Sequence, residues 1–587
     1  MWSRHCAGKV PPRLVPRDLS LIGLPKREAT SVAFFMCADR FRILGLLLFG
    51  LSWLAYDHYR PWVNFHSEAL ACAGALLLLA GQLLVHDIAL AWPRIGRCAL
   101  LAACLAWVWW ALGIGLFASD ALMVSIYLLT LAAMVLVGFM WGRSTGPWLD
   151  ALSWTVALAA GMSGLIGLLQ WLQMTLPFGM YVVQSDIGDR ALGNMGQPNQ
   201  LGTLLLMGMA AMLHLFETRR LGRSVFSVYI AFLTLPLVLT QSRAALLSVV
   251  VIAVFLLVKG QRLQRLPVMA WASSVLLLAV AIPTISEFLL LGSGRDVEAM
   301  SRTQERIEIW RQVLAGIGQS PWWGYGWNQT PTAHAAGALF VPGSMTYSFA
   351  HNVVLDLMAW TGVPIGLIFA GVVGWWLVSR IIAVRSPVAV AALAGLLPLA
   401  VHSQVEFPFA YAYFLVLAGL LVGVVEAFHP NTRIAVLKRR WVMAMILPWA
   451  VAGAWICYEY LQIEEDFRVV RFENLRIGQT PAEYEAPKIH LLSHLGEMLR
   501  ASRAHPRPGM TSQEIEQLHK VALRFPWGAL HLRYAYALAL NGDPAGAVQQ
   551  LRVVRGMFGE LYYEAARQEL RELQQGHPEV AAVLVQL

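Results

Sequence analysis

Long apolar runs separated by short polar segments make up most of the chain between residues 41 and 461. A helix needs about 20 mostly apolar residues to cross the hydrocarbon core of a bilayer. The pattern therefore predicts about thirteen transmembrane helices. Their approximate centres lie at residues 49, 80, 108, 131, 161, 207, 232, 251, 278, 365, 395, 419 and 451.

Positive charge is unequally divided between the two sets of loops that these helices define. With the N-terminus in the cytoplasm, the cytoplasmic short loops carry fifteen Lys and Arg residues, and the opposite short loops carry only Arg60, Arg190 and Arg243. Cytoplasmic loops of membrane proteins are enriched in Lys and Arg. The asymmetry predicts a multi-pass protein of a bacterial inner membrane. The fifteen are Arg94, Arg97, Arg143, Arg219, Arg220, Arg223, Lys259, Arg262, Arg265, Arg380, Arg385, Arg433, Lys438, Arg439 and Arg440.

The same topology divides the chain into three parts. Residues 1–40 are basic and predict a cytoplasmic tail, and residues 41–461 form the transmembrane domain. A long loop at 291–350 and the segment 462–587, which has ordinary charge content, face the periplasm. Within that last segment, residues 531–554 place apolar residues at helical spacing on both sides of an Asn-Gly-Asp-Pro turn, which resembles one tetratricopeptide hairpin. The predicted fold is an all-α polytopic bundle with a soluble, tetratricopeptide-like helical domain at the C-terminus.

Composition agrees with a membrane protein and excludes several other classes. The chain is 58% hydrophobic and 13% charged, whereas soluble domains are roughly a quarter charged. The net charge of +9 is spread over the loops, so we expect no nucleic-acid partner. The six cysteines show no CxxC spacing, which supports neither a zinc site nor a disulfide framework. Nucleotide-phosphate loops and the HExxH motif are absent, so we expect no cofactor and no metal.

One arginine of the long loop lies on the apolar side of a predicted helix. Residues 302–318 have helical periodicity, and at about 100° per residue Arg306 falls inside the apolar arc while Arg302 lies at its edge. The apolar arc consists of Ile307, Trp310, Val313, Leu314 and Ile317, and Glu305, Glu308 and Gln312 lie opposite. Arg306 therefore needs an anionic partner, either a substrate or, as the alternative, a lipid headgroup or a structural carboxylate.

Further polar residues gather at the outward ends of other helices. Arg243 lies in a hairpin of a few residues between two apolar runs, where an interfacial arginine without a role is an equal alternative. His351 and Asn352 lie where the long loop re-enters the membrane, and a histidine there can act as a general base. Asp356, inside the following apolar run, orients a neighbour or pairs with an arginine. His402 and Glu406 are four residues apart, but a metal site would need more ligands.

Five segments, in this order, resemble the O-antigen ligase and polymerase superfamily, and most closely its bacterial protein O-oligosaccharyltransferases, which glycosylate pilins. The resemblance covers roughly residues 40–460. The segments are RALGNMGQPNQLGTLLLMG (190–208), TQSRAALL (240–247), ERIEIWRQVLAGIGQSPWWGYGWNQ (305–329), AHNVVLDLMAWTGVPIG (350–366) and HSQVEFPFAY (402–411).

The resemblance implies a function and a set of site residues. An oligosaccharide would pass en bloc from undecaprenyl diphosphate to Ser or Thr hydroxyls of a periplasmic, pilin-like protein, with inversion and without a metal. Arg243 and Arg306 would hold the diphosphate, and His351 would deprotonate the acceptor. The expected substrate-binding residues are Arg190, Gln197, Asn199, Arg302, Tyr347, Asn352, His402 and Glu406.

Other functions remain open at this stage. A ligase acting on lipid A-core sugar and an O-antigen polymerase would use the same chemistry, and the C-terminal domain favours a protein acceptor over both. A transporter of lipid-linked sugars would carry polar groups near the bilayer midplane, whereas here they gather at the outward boundary. A non-catalytic scaffold would leave Arg243, Arg306 and His351 unexplained.

Overall fold

A computed structural model describes residues 29–85, 90–260, 263–291, 298–481 and 483–587, without the side chains of residues 29–36 and 298–305. The described chain is mostly helical, as predicted. Residues 1–28 of the predicted cytoplasmic tail lie outside the described residues, and the first helix begins at Ala29, inside that predicted tail.

Every predicted span centre falls inside a helix. These helices are α1 (Ala29–Ser52), α2 (Phe65–Leu83), α3 (Ile95–Ala111), α4 (Ala118–Arg143), α5 (Trp148–Trp171), α6 (Pro198–Glu217), α7 (Arg223–Leu239), α8 (Arg243–Lys259), α9 (Arg265–Phe288), α13 (Val363–Ala383), α14 (Pro387–His402), α15 (Ala412–Ala427) and α16 (Arg439–Leu475). Within the described part of the chain, seven of them are long and apolar enough to cross a membrane, and four more are apolar helices of 10–17 residues. The count of thirteen spans stays a prediction.

The remaining helices lie in the long loop and after the bundle. They are α10 (Glu298–Gln319), α11 (Thr330–Ala338), α12 (Val353–Thr361), α17 (Ser493–Arg503), α18 (Ser512–Arg524), α19 (Gly528–Leu540), α20 (Pro544–Phe558), α21 (Glu560–Gln574) and α22 (Ala581–Gln586). Short 3₁₀ turns occur at Leu176–Tyr181, Gly193–Met195, Pro408–Ala410 and Pro578–Val580.

One two-stranded sheet joins two loops that are far apart in the chain. Strand β1 (Leu90–Pro93) pairs antiparallel with β2 (Ile434–Leu437), with Leu90 opposite Leu437. The sequence pattern did not predict this sheet, because each strand has only four residues and lies in a basic loop. The pairing brings together the loop before α3 and the loop before α16, which are both predicted to be cytoplasmic.

Small residues allow α4 and α15 to approach closely. A Cβ atom at Gly138 of α4 would lie 2.0 Å from the carbonyl oxygen of Leu420, and one at Gly423 of α15 would lie 2.3 Å from the carbonyl oxygen of Val135. Close backbone approach through small residues is common between membrane helices. The contact fixes α15, and with it the loop of residues 403–411 that precedes this helix.

The C-terminal helices are firmly joined to the bundle. α16 continues without interruption through the predicted domain boundary at 461–462 and ends at Leu475. Its Glu459 accepts hydrogen bonds from the backbone N–H groups of His490, Leu491 and Leu492, at 2.7–3.1 Å. Arg524 of α18 forms a 2.9 Å ion pair with the buried Asp120 at the start of α4. The hairpin predicted at 531–554 is present as α19 and α20, and its tetratricopeptide class stays a prediction.

The buried face of α10 is rotated relative to the predicted one. Gln312, predicted to face solvent, is fully buried, and its amide nitrogen donates to the carbonyl oxygens of Val341 and Gly556 at 2.9 and 3.1 Å. Ile307 and Leu314, predicted to be on the packed side, are 43% and 50% exposed. The prediction was wrong for these residues because α10 packs against α11 and α12. The buried amide of Gln312 is satisfied by carbonyl oxygens of the long loop and of the C-terminal domain, which local periodicity does not reveal.

Candidate active site

Glu406 occupies the centre of a polar cluster at the end of the bundle that carries the long loop. It follows α14 directly, and its backbone N–H donates to the carbonyl oxygen of His402 at 2.9 Å. Its side chain is only 8% exposed. A buried carboxylate is costly unless it is paired and hydrogen-bonded, so its partners define the site.

Three side chains from distant segments meet at this carboxylate. Arg306 of α10 forms an ion pair with Oε1, and the amide nitrogen of Asn199, near the start of α6, donates to the same oxygen at 3.1 Å. Nδ1 of His351 lies 2.6 Å from Oε2. Burial disfavours the charged form of Glu406, but the hydrogen bond to His351 and the charges of His351 and Arg306 outweigh it and lower the pKa of this carboxyl below its ordinary value. Glu406 is therefore an ionised bridge between a base and a cation.

The backbone of His351 is held in a strained conformation. Its φ of +55° is in the left-handed region, which non-glycine residues rarely adopt. The preceding residue, Ala350, is clamped on both sides: its N–H donates to Asp356 at 2.8 Å, and its carbonyl oxygen accepts from the indole N–H of Trp310 at 2.9 Å. Strained residues persist only where their surroundings over-determine them, and they cluster at functional sites. The clamps direct the imidazole toward Glu406.

Asp356, whose role the sequence left open, is a buried support for this segment. It lies in α12, which ends before the span α13 begins, and its side chain also accepts from the hydroxyl of Thr330 at 2.7 Å. Burial raises the pKa of Asp356 to about 7. Its second oxygen has no partner among the described residues. Of the two alternatives raised by the sequence, these hydrogen bonds favour the first, a carboxyl that orients a neighbour.

Arg190 is hydrogen-bonded to the cluster, and Arg243 lies in the hairpin that Arg190 contacts. A guanidinium nitrogen of Arg190 donates to the side-chain oxygen of Asn199 at 3.3 Å, and its Nε donates to the carbonyl oxygen of Thr240 at 2.7 Å. Arg243 is the first residue of α8 and is exposed. Ser242 caps this helix by accepting from the N–H of Ala245 at 3.1 Å. Arg243 therefore lies three residues after Thr240, whose carbonyl oxygen Arg190 contacts.

Three other predicted substrate-binding residues, Tyr347, His402 and Asn352, make different contacts around the site. The Tyr347 ring meets the His351 ring edge-on at 5.9 Å. His402 is 1% exposed, with Nδ1 2.9 Å from the hydroxyl of Thr203, so it supports α6 from inside the bundle. Asn352 uses its side-chain oxygen to cap α12 and its amide nitrogen to bind the carbonyl oxygen of Gln404 at 3.0 Å.

Two predicted residues remain without a described role. Gln197 is the N-cap residue of α6, partly exposed and two positions before Asn199. The side chain of Arg302 lies outside the described residues.

Sequence reasoning overlooked the residues that link the predicted ones. Thr203 was detectable, because it follows Asn199 by one helical turn in the same motif and so faces the same way. Thr330 and the pairing of Asp120 with Arg524 have no local signal, since their partners are 26 and 404 residues away in the chain.

A separate group of possible metal ligands lies between α2 and α16. Nε2 of His66 is 3.3 Å from Asp57 and 3.2 Å from Glu464. These contacts already pair the three side chains with one another. The sequence predicts no metal, and the proposed glycosyl transfer requires none at Asp57, His66 and Glu464.

The cluster suits transfer of a group from a phosphate leaving group to a hydroxyl. The imidazole of His351, oriented by a carboxylate, is arranged as a general base. Arg306, which is 30% exposed and uses one nitrogen for Glu406, retains guanidinium N–H groups that can face an anion.

Comparisons with known proteins indicate a glycosyltransferase. Residues 226–370 match the family described as O-antigen ligase, and residues 390–572 match the family described as virulence factor membrane-bound polymerase, C-terminal. The chain is also 28% identical over 569 residues to a general O-oligosaccharyltransferase of Acinetobacter baylyi, covering 93% of this chain and 96% of that protein. The chain is a glycosyltransferase, and its residues 226–370 are similar to the O-antigen ligase family.

A second relative is also an O-oligosaccharyltransferase. A ComP-specific O-oligosaccharyltransferase of Acinetobacter baylyi is 29% identical over 282 residues, which cover 47% of this chain and 50% of that protein. The O-antigen ligase match includes Arg243, Arg306 and His351, and the second family match includes Glu406. The cluster at Glu406 therefore brings together residues from two family regions that are separate in sequence.

Proposed function

We propose that this glycosyltransferase transfers an oligosaccharide en bloc from undecaprenyl diphosphate to Ser or Thr hydroxyls of periplasmic proteins such as pilins. The observation that carries the proposal is the bridge from His351 through Glu406 to Arg306, which joins a base to a cation. The similarity to a general O-oligosaccharyltransferase over 93% of the chain supports the same reaction.

In the proposed reaction, the Nδ1–H group of His351 donates a hydrogen bond to Glu406 and keeps its proton, so that Nε2 carries a lone pair that can accept a proton. As the acceptor oxygen attacks the anomeric carbon, its proton passes to Nε2, and the bond between that carbon and the phosphate oxygen breaks. The bonding electrons leave with the lipid diphosphate, whose increased negative charge Arg306 and Arg243 stabilise. A single displacement of this kind inverts the anomeric configuration, and a product that retained it would exclude the mechanism.

The C-terminal helices favour a protein as the acceptor. The carbonyl oxygen of Gly556 in α20 accepts from the N–H of Gly343 at 2.8 Å, and Gly343 lies four residues before Tyr347. The helical domain is thus attached to the loop that leads to His351. Paired helices of this type commonly bind other proteins, whereas a glycolipid acceptor already lies in the membrane.

We further propose an inner-membrane location with the N-terminus in the cytoplasm and the site in the periplasm. The pairing of β1 with β2 supports this, because it joins two loops that the charge pattern assigns to the cytoplasm. At the other end of α3, the indole N–H of Trp109 donates to the carbonyl oxygen of Trp323 at 2.7 Å, which joins the end of this predicted span to the long loop predicted to be periplasmic.

The acceptor class is tested with purified protein and a lipid-diphosphate-linked oligosaccharide, offered in parallel a pilin-type protein and a lipid A-core glycolipid. The proposal predicts that the protein gains the mass of one oligosaccharide and that the glycolipid does not. Modification of the glycolipid alone would instead support the second candidate, an O-antigen ligase, which the family description at residues 226–370 favours.

A further inference from the structure

A large apolar cavity lies inside the helical bundle. Its volume is about 520 Å³, and α6, α7, α8, α9 and α14 form its wall. Two hydroxyl groups in this wall donate to carbonyl oxygens of their own helices, Thr234 at 2.8 Å and Ser274 at 2.7 Å. The cavity therefore suits a hydrocarbon rather than a polar ligand.

One face of α6 connects the cavity with the polar site. Asn199 and Thr203 on this face bind Glu406 and His402, and Leu206, Ala210 and Leu213 continue it at alternating spacings of three and four residues. At 1.5 Å per residue, the cavity extends from roughly 10 to 21 Å below Asn199. A charged end and an apolar end thus lie along a single helix face.

We propose that this cavity binds the polyisoprenoid chain of the lipid-diphosphate donor. The inference rests on the proposed function, which places the diphosphate at the polar end. The hydrocarbon core of a bilayer is about 30 Å thick, so one leaflet accounts for about 15 Å. The lower part of the cavity lies beyond that depth, where a chain longer than an ordinary acyl chain is needed to reach it.

The cavity has an opening through which such a chain can enter. Ala231 of α7 and Ala270 of α9 both line the cavity and are exposed. α9 contacts the bundle through a narrow stripe, with Val268, Val275 and Ile282 as its buried apolar residues. We therefore place the entry from the bilayer at these two exposed residues.

A phospholipid acyl chain is the rival occupant. Trp271 lines the cavity, and its buried indole N–H has no hydrogen-bond partner among the described residues. A phospholipid that permanently filled the cavity would make the KM for the donor independent of the length of the donor's prenyl chain.

The test compares the same oligosaccharide on undecaprenyl diphosphate and on geranyl diphosphate. The variant Ala231→Trp places a large ring at the opening of the cavity. Val228→Trp, on the same helix at a 69% exposed position outside the cavity wall, is the matched control. Activity with the geranyl donor shows in the same assay that each variant is folded.

We expect the wild-type KM to be at least about tenfold lower for the undecaprenyl donor, because the longer chain buries more apolar surface. Ala231→Trp should remove most of this difference and leave the geranyl KM unchanged, and Val228→Trp should leave both values unchanged. Equal wild-type KM values for the two donors, or an equal effect of Ala231→Trp on both, would overturn the proposal. Failure of the wild type to use either donor would overturn the proposed function and this inference with it.

Discussion

The Nδ1 atom of His351 lies 2.6 Å from a carboxylate oxygen of Glu406, and the other oxygen of Glu406 binds Arg306. His351 lies in the loop before α12, Glu406 in the loop after α14, and Arg306 in α10. A carboxylate that accepts a hydrogen bond from the Nδ1–H group fixes the histidine in the tautomer whose Nε2 is unprotonated. It also holds the arginine close to the base, so proton removal and leaving-group stabilisation depend on one side chain.

Replacing Glu406 should therefore impair the chemical step. Glu406→Gln removes the charge and allows the wrong histidine tautomer, so kcat should fall on the order of a hundredfold or more, with a smaller change in KM. Glu426→Gln is the matched control, because Glu426 is also buried and ion-paired, at 2.6 Å from Arg380, but lies at the other end of the bundle. Steady-state kinetics of acceptor glycosylation measure both variants. Equal loss in the two would show that only stability is affected.

Arg306 and Arg243 should each contribute to stabilising the leaving group. Arg306→Gln and Arg243→Gln should each raise the barrier by about 2–4 kcal/mol, by analogy with the loss of one donor to a developing anion. Arg311→Gln is the control, since Arg311 is an exposed residue of the same helix as Arg306. The measurement is kcat/KM for the lipid-linked donor. A loss of less than about threefold for Arg306→Gln, corresponding to well under 1 kcal/mol, would contradict the assigned role.

Asp356 should act as a positioning residue through the backbone of Ala350. Asp356→Asn keeps an oxygen that can accept from Ala350 and Thr330, so kcat should stay within a few fold of the wild type. Asp356→Ala leaves the buried N–H of Ala350 unpaired, at a cost of about 1–3 kcal/mol. It should lower kcat while changing KM little, because His351 loses its support. Similar losses in both variants would exclude positioning by hydrogen bonding.

Much of the fold is readable from the sequence because membrane helices are encoded locally. Each apolar run predicts the position of its helix, whereas the orientation predicted from the basic loops stays a prediction. The bridge at Glu406 could not be predicted in this way, because its partners are distant in the chain. His351 is 55 residues and Arg306 is 100 residues away from Glu406. Periodicity showed that Arg306 needs an anion, but spacing along the chain does not say which one. The burial of Gln312 was mispredicted for the same reason, because its partner Gly556 belongs to the C-terminal domain.

Acid should destabilise the part of the protein outside the membrane. Burial lowers the pKa of His334 and of His494 from the ordinary 6.5 to about 4, and that of His531 to about 3. Between pH 6.5 and about 4 the unfolded state binds more protons than the folded state, so the free energy of unfolding falls as pH falls through this range. The stabilisation from these neutral histidines is complete above pH 6.5.

Thermal unfolding of the detergent-solubilised protein at pH 7 and pH 5 measures this effect. The melting temperature should be lower at pH 5, and His334→Gln should reduce the difference. The exposed His505 provides the control, since His505→Gln should leave the difference unchanged. A melting temperature that is higher at pH 5 would contradict the assignment of buried, neutral histidines.

The central claim is that His351 is the base of a glycosyl transfer from a lipid diphosphate to a protein hydroxyl. It is tested most directly by the mass of a pilin-type acceptor after incubation with the lipid-linked donor and wild-type protein, His351→Ala or His505→Ala, without added metal or nucleotide. We expect wild type and His505→Ala to add one oligosaccharide. We expect His351→Ala to be nearly inactive, with a melting temperature close to that of the wild type. Equal glycosylation by all three proteins would contradict the assignment of His351 as the base.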